Sequence, residues 1–137
     1  MRVQHEFDII QDMTKVARSV PLPKVDEHPL LDHQGIFGYR LEYLIRLEQD
    51  ELLRRLPDVG KAVHRLHEGG FSHGDLSPSN IMKTQDGTIV LIDFGYAGKI
   101  GTQASSSVPH WVYADAVVTV QADQRALERI SKLIQRT

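Results

Sequence analysis

The sequence predicts an α+β fold, and three patterns carry that prediction. Apolar residues recur at helical spacing over residues 6–18, 58–68 and 122–135. An aromatic and aliphatic run over residues 36–45 has the character of a mostly buried strand. Two short apolar runs, 81–83 and 88–92, are joined through Gln85-Asp86-Gly87, which is hairpin chemistry because glycine supplies the positive φ of a tight turn.

Phe7, Ile9, Ile10, Met13, Val16 and Ala17 approximate one helical face, and Pro21-Leu22-Pro23 stops that helix because proline lacks the N–H of a further turn. Beyond Pro29 and a turn at Gly35 comes the 36–45 strand, expected to end near Glu42-Tyr43-Leu44. His28, Asp32 and His33, set between Pro29 and Gly35, read as a loop with no function. Residues 47–56 and 58–68 read as two helices divided at Pro57, the second turning Val59, Val63 and Leu66 inward and ending at Gly69-Gly70. His64 and His67 have a spacing that can hold a metal, but without a further ligand the expectation is a solvated face.

A loop over 71–79 leads into the hairpin, and residues 95–109, rich in glycine and serine around Ser105-Ser106-Ser107, predict a mobile loop. Trp111 and Tyr113 read as core anchors. The closing helix puts Ala126, Leu127, Ile130, Leu133 and Ile134 on its inner face.

With 137 residues, 41% apolar and 25% charged, the chain fits one domain with a moderate core. Its formal charge of −2 gives no electrostatic reason to expect nucleic acid or an anionic membrane as partner. The absence of cysteine excludes disulfides and thiolate metal sites. Apolar runs are far shorter than the roughly 20 residues of a membrane span, and the polar start at Met1-Arg2-Val3-Gln4 does not read as a secretory signal, so the expectation is a cytoplasmic chain.

The hairpin carries the chemistry. Asn80 stands just before its first strand and Asp93 just after its second, so a tight turn folds the two side by side at the open end. An amide oxygen and a carboxylate there suit Mg²⁺, which takes a few protein oxygens and fills its other positions with water and phosphate. Asp75 lies in the loop before Asn80 and brings a further carboxylate, placed for a general base that orients a hydroxyl in phosphoryl transfer. Taken singly, Asp75 and Asp93 would be turn-capping residues; their order with Asn80 favours a site.

At these residues a family resemblance enters. His73-Gly74-Asp75-Leu76-Ser77-Pro78-Ser79-Asn80 resembles a kinase catalytic loop, and Ile92-Asp93-Phe94-Gly95 resembles the metal-binding motif that follows it in the protein-kinase-like superfamily. Gly74 stands where conventional protein kinases carry arginine, and Ser77 departs from their usual signature two residues beyond the aspartate. The loop is therefore more similar to atypical and small-molecule kinases: aminoglycoside phosphotransferases, choline kinases and the small kinase of the tRNA-threonylcarbamoylation complex.

The resemblance implies one kinase-like domain over 1–137, with 1–44 as a reduced amino-terminal lobe and hinge, 45–137 as a mostly helical carboxyl-terminal lobe, and ATP between them. It implies Asp75 as base, Asn80 and Asp93 as Mg²⁺ ligands, and Glu42 and Leu44 as hinge residues that hold adenine through backbone groups. It gives His73 a bracing role and makes Glu6 the counterpart of the family's helix glutamate, with a surface charge as the equal alternative. No Gly-rich phosphate loop is written, and Lys15 and Lys24 lie on a helix and beside Pro23, not on a preceding strand. The expected activity is ATP- and Mg²⁺-dependent transfer of the γ-phosphoryl group to a hydroxyl of a protein or small molecule. The alternative is a pseudokinase or binding module. A dimer or a protein partner covering the reduced lobe is expected with either.

Overall fold

In the computed structural model of the chain, residues 2–16 and 21–135 are described. The first helix, α1 (Arg2–Val16), buries Phe7, Ile9, Ile10 and Met13, while the Val16 side chain and Ala17 lie outside the described residues. It packs against β2 (Gly35–Gly38), which pairs antiparallel with β1 (Leu30–Asp32). Phe7 and Tyr39 meet at that junction with ring centroids 6.0 Å apart. The stretch expected as a loop around Asp32 and His33 is thus the turn of a small hairpin, with Asp32 Oδ1 accepting the Gln34 N–H at 2.8 Å. His28 and His33 are exposed in it.

The single strand expected over 36–45 is broken into β2 and β3 (Ile45–Arg46) because the chain changes partner: β2 pairs with β1, whereas β3 joins β5 (Ile81–Lys83). Between them Leu41 bridges Val25, and Phe37 and Tyr43 are exposed at 53% and 72%, so the run is not mostly buried.

Two helices follow, α2 (Gln49–Arg54) and α3 (Leu56–Glu68), divided at Arg55, with Pro57 inside the first turn of α3 where its missing N–H costs nothing. α3 buries Val59, Ala62, Val63 and Leu66 along one stripe and stops at Gly69, with Gly70 at φ +94° reversing the chain. The predicted hairpin is present as β5 and β6 (Ile89–Leu91), in register Ile81 opposite Leu91 and Lys83 opposite Ile89. Its free edge is covered by the proline stop after α1, since the Leu91 N–H donates to Pro21 O at 2.9 Å.

Two segments expected as loops carry pairing. β4 (Phe71–Ser72) pairs antiparallel with β7 (Gly98–Lys99), closing residues 73–97 at their base. Beyond β7, Gly101 N–H donates to Val118 O at 2.8 Å and Ala104 N–H to Ala116 O at 2.7 Å, so the serine-rich stretch is tied along a second segment. The closing helix, α4 (Gln121–Gln135), turns Ala126 and Ile130 inward; Leu133 is 59% exposed, contrary to its expected place on the inner face, and the Ile134 side chain lies outside the described residues.

One apolar cluster runs through Ile10 and Met13 of α1, Val63 and Leu66 of α3, Ile81 and Leu91 of the hairpin, Phe94, and Ile130 of α4. The hairpin's base is therefore packed from several sides, which fixes the side chains at its open end. A second cluster of Val112, Tyr113 and Val118 lies under the serine-rich stretch. No helix among the described residues is long and apolar enough to cross a membrane.

Candidate active site

The hairpin register sets the site. With Ile81 opposite Leu91, Asn80 falls opposite Ile92, and the Ile92 N–H donates to Asn80 O at 3.0 Å. Asp93 is the next residue, in the left-handed region at φ +63°. A non-glycine residue there costs on the order of 1–3 kcal/mol, held in place by the surrounding bonds. The expected convergence of Asn80 and Asp93 at the hairpin's open end is what the strand pairing produces.

His73 braces this end from below. It is fully buried, its Nε2 lies 2.7 Å from Ile92 O, and its Nδ1 accepts the Asp75 N–H at 3.0 Å. An N–H donor at Nδ1 and a carbonyl at Nε2 require the neutral ring protonated at Nε2. Burial pushes its pKa below the ordinary 6.5, against the opposing pull of the Ile92 carbonyl and of the carboxylates of Asp123, Asp75 and Asp93. The ring rests on Phe94, centroids 4.9 Å apart.

Asn80 completes a circuit. Its Nδ2 donates to Asp75 O at 2.7 Å, so Asp75, His73, Ile92 and Asn80 are joined in a closed ring of hydrogen bonds. The side chain is 7% exposed. With its nitrogen committed inward, the other amide atom, Oδ1, and the Asp93 carboxylate are hard oxygen donors of the kind Mg²⁺ takes alongside phosphate and water, so the donor set fits that ion.

Asp123, in the first turn of α4, holds the loop's entrance and was not singled out by sequence. It is fully buried; its Oδ2 accepts the His73 N–H at 2.8 Å, the Ser72 hydroxyl at 3.1 Å and the His67 ring at 2.8 Å, and its Oδ1 accepts the Gly74 N–H at 2.9 Å. Burial would raise its pKa, but the bonds from His67 and from the His73 and Gly74 amides outweigh it and hold the carboxyl below the ordinary 3.8. His67 therefore does not belong to a solvated face, as its spacing led one to expect, whereas exposed His64 lies 3.2 Å from Glu68. Among the described residues no three His, Cys, Asp or Glu side chains group as a metal cluster.

The unusual Gly74 has a steric cause. Its φ is +82°, and a Cβ would lie 2.8 Å from Tyr96 O and against the Tyr113 phenol. Tyr113, buried as expected, donates to Tyr96 O at 2.8 Å, and burial pushes its phenol pKa far up. Trp111 is not the core anchor expected: it is 73% exposed.

Glu42 and Leu44 stand elsewhere. Glu42 N–H donates to Lys24 O at 2.9 Å and its Oε1 accepts the Lys24 N–H at 2.8 Å, so its backbone donor is already used. Glu42 lines a cleft with Lys24, Thr84 and Asp86 at the turn end of the hairpin, away from Asn80 and Asp93. Leu44, half-buried, leads directly into β3. Glu6 accepts the Tyr39 hydroxyl, and neighbouring His5 bonds Ala97 O at 2.9 Å, docking α1 onto the segment after Asp93. The apolar crevice where Asp93 meets Ile10, Leu22, Tyr39 and Leu41 has only about 10 Å³, so an aromatic base enters it only if its walls part.

Residues 33–124, which contain Asp75, Asn80, Asp93 and Asp123, match the family described as the protein kinase domain. The chain belongs to that family. This kinase domain is 41% identical over 63 residues to the KEOPS complex subunit Bud32 of Pyrococcus abyssi, a match covering 45% of the chain and 28% of that protein. It is 42% identical over 140 residues to Cell division control protein 7 of Schizosaccharomyces pombe, covering 82% of the chain and 13% of that protein. The chain thus spans a minor part of the length of these relatives. The solved structure of the Cydia pomonella granulovirus kinase PK-1 superposes with a TM-score of 0.61 at 16% identity, covering 93% of this chain and 54% of that one, which shows a kinase-like fold.

Proposed function

We propose that the chain transfers the γ-phosphoryl group of ATP, bound with Mg²⁺, to a hydroxyl acceptor. The single observation that carries this reading is the hydrogen-bonded ring of Asp75, His73, Ile92 and Asn80, which fixes the catalytic loop to the strand end that presents Asp93. A loop that only capped turns would need no such linkage between residues so far apart in sequence.

Asp75 accepts the proton of the acceptor hydroxyl as its oxygen bonds to the γ-phosphorus and the bond to the ADP oxygen breaks. A positioned base contributes typically 10²–10⁴-fold, and holding the reactants in line supplies much of the remainder. Asn80 and Asp93 would hold Mg²⁺, which would supply neutralisation of phosphate charge there. His73 touches no reactant; it orients the Asp75 backbone.

A second reading, a nucleotide-binding or regulatory module with little turnover, is favoured by one contact. Glu6, which the kinase resemblance pairs with a strand lysine, accepts a hydrogen bond from the Tyr39 phenol. The test of both is ATP consumption with Mg²⁺ by the wild type, Asp75→Ala and Asp93→Ala at matched folding, with thermal-shift titration of nucleotide. Turnover lost in both variants supports the transferase. Nucleotide stabilisation without turnover supports the module, and neither effect sinks both.

A further inference from the structure

Beside the loop that carries Asp75 lies a cleft of about 200 Å³, lined by Asp75, Tyr96, Trp111, Arg125 and Arg129 among others. The two arginines are one turn apart on α4, fixed on its outer side by the inward packing of Ala126 and Ile130. Both are exposed, and neither forms an ion pair among the described residues. The acidic residue between them, Glu128, is turned to Lys132 at 2.9 Å, and Asp123 is committed to the catalytic loop. Among the described residues the cleft therefore presents two guanidinium groups outside any ion pair, beside the Asp75 carboxylate placed to receive an acceptor's proton.

Guanidinium groups bind carboxylate and phosphate through paired N–H donors. We propose that the acceptor is a small anionic alcohol, a hydroxyl compound bearing a carboxylate or phosphate that Arg125 and Arg129 hold while its hydroxyl meets Asp75. The proposal rests on the transferase reading for the reaction, but the anion site stands on the cleft alone. The volume favours a small molecule: at about 200 Å³ the cleft falls below the roughly 300–1,000 Å³ of sites for drug-sized ligands. In the reaction the acceptor oxygen bonds to the γ-phosphorus, the bond to ADP breaks, and the hydroxyl proton passes to Asp75. The anionic group of the acceptor is unchanged.

The experiment compares glycerate, glycerol 3-phosphate, glycerol, choline and an acidic serine peptide as acceptors in Mg-ATP turnover, for wild type, Arg125→Gln, Arg129→Gln and, as a control at an exposed position of α3, Lys61→Gln. The expected result is kcat/KM for glycerate or glycerol 3-phosphate at least tenfold above that for glycerol, whichever of the two is better showing the preferred anion. That ratio falls at least tenfold in either arginine variant and is unchanged in Lys61→Gln. Binding of the same two anions without nucleotide, followed by calorimetry, gives an independent reading. Equal use of glycerol and glycerate, or preference for choline or the peptide, overturns the proposal. Absence of turnover with anion binding that depends on both arginines keeps the anion site and sinks the transferase reading; absence of both turnover and such binding overturns the proposal.

Discussion

The carboxylate of Asp123 accepts the backbone N–H of His73 at 2.8 Å, tying the first turn of α4 to the start of the loop that carries Asp75. Through the same two oxygens it also takes the Gly74 amide, the Ser72 hydroxyl and the His67 ring, all at a site shut off from water. The loop's position is thus set by a residue outside it.

Asp123→Ala leaves these donors unsatisfied in the interior and is expected to destabilise the fold by about 3–5 kcal/mol, the range for removing one partner of a buried charged network. Asp123→Asn keeps one acceptor but turns an amide donor toward another N–H, and the loss should be smaller. Urea denaturation checks both. A loss under about 1 kcal/mol for Asp123→Ala means that the anchor lies elsewhere.

His73 makes stability depend on pH. Its folded pKa lies below 6.5 because burial favours the neutral ring, so below pH 6.5 the unfolded chain binds the more protons. That contribution is fully present above 6.5 and is lost as pH falls through the window beneath it. The Asp123 carboxyl, held below 3.8, adds a second loss as pH falls below that value. His73→Gln offers an acceptor and a donor in a side chain that does not titrate. Its unfolding free energy should decline less than that of the wild type between pH 6.5 and 5; equal slopes would remove His73 from the account.

Much of this was legible in the sequence because local chemistry fixed it. Gln85-Asp86-Gly87 permits few turns, and once the hairpin closes, Asn80 and Asp93 must come together; the stripe of Val59, Val63 and Leu66 likewise leaves α3 one face to bury. What stayed hidden depends on partners distant in the chain. Asp123 looks in sequence like an ordinary acidic residue at a helix start, favourable there through the helix dipole alone. The break between β2 and β3 follows from their having different partners, which residue character over 36–45 does not encode. Arg125 and Arg129 carry no signal in the sequence for a related reason, since charges on a helix's outer face normally meet only solvent.

Gly74 tests whether the departure from the common kinase loop is structural. Gly74→Ala places a methyl group against Tyr113 and Tyr96 O in a left-handed conformation, and should cost at least about 1–2 kcal/mol from the backbone alone. Tyr113→Phe removes the hydroxyl in that contact. In a double-mutant cycle by thermal denaturation, the two changes together should cost less than the sum of each alone. Strict additivity would mean that Gly74 does not owe its identity to the tyrosine.

Asp93 separates stability from chemistry, because its strained backbone and its carboxylate make different demands. Asparagine tolerates φ near +63° about as well as aspartate does, so Asp93→Asn should stay within about 0.5 kcal/mol of the wild type in urea denaturation. The amide removes the negative charge that, with Asn80, the proposed site offers to Mg²⁺. Nucleotide-induced thermal stabilisation should then lose its dependence on Mg²⁺, and turnover should fall by about 10² or more, the scale seen on removing one preorganised electrostatic group. A variant that is well folded and still shows the Mg²⁺-dependent shift would place the metal on other oxygens. A variant that unfolds would mean that the carboxylate is needed to hold the left-handed turn, and Asp93→Gly, free of backbone strain at that φ, then tests the metal separately.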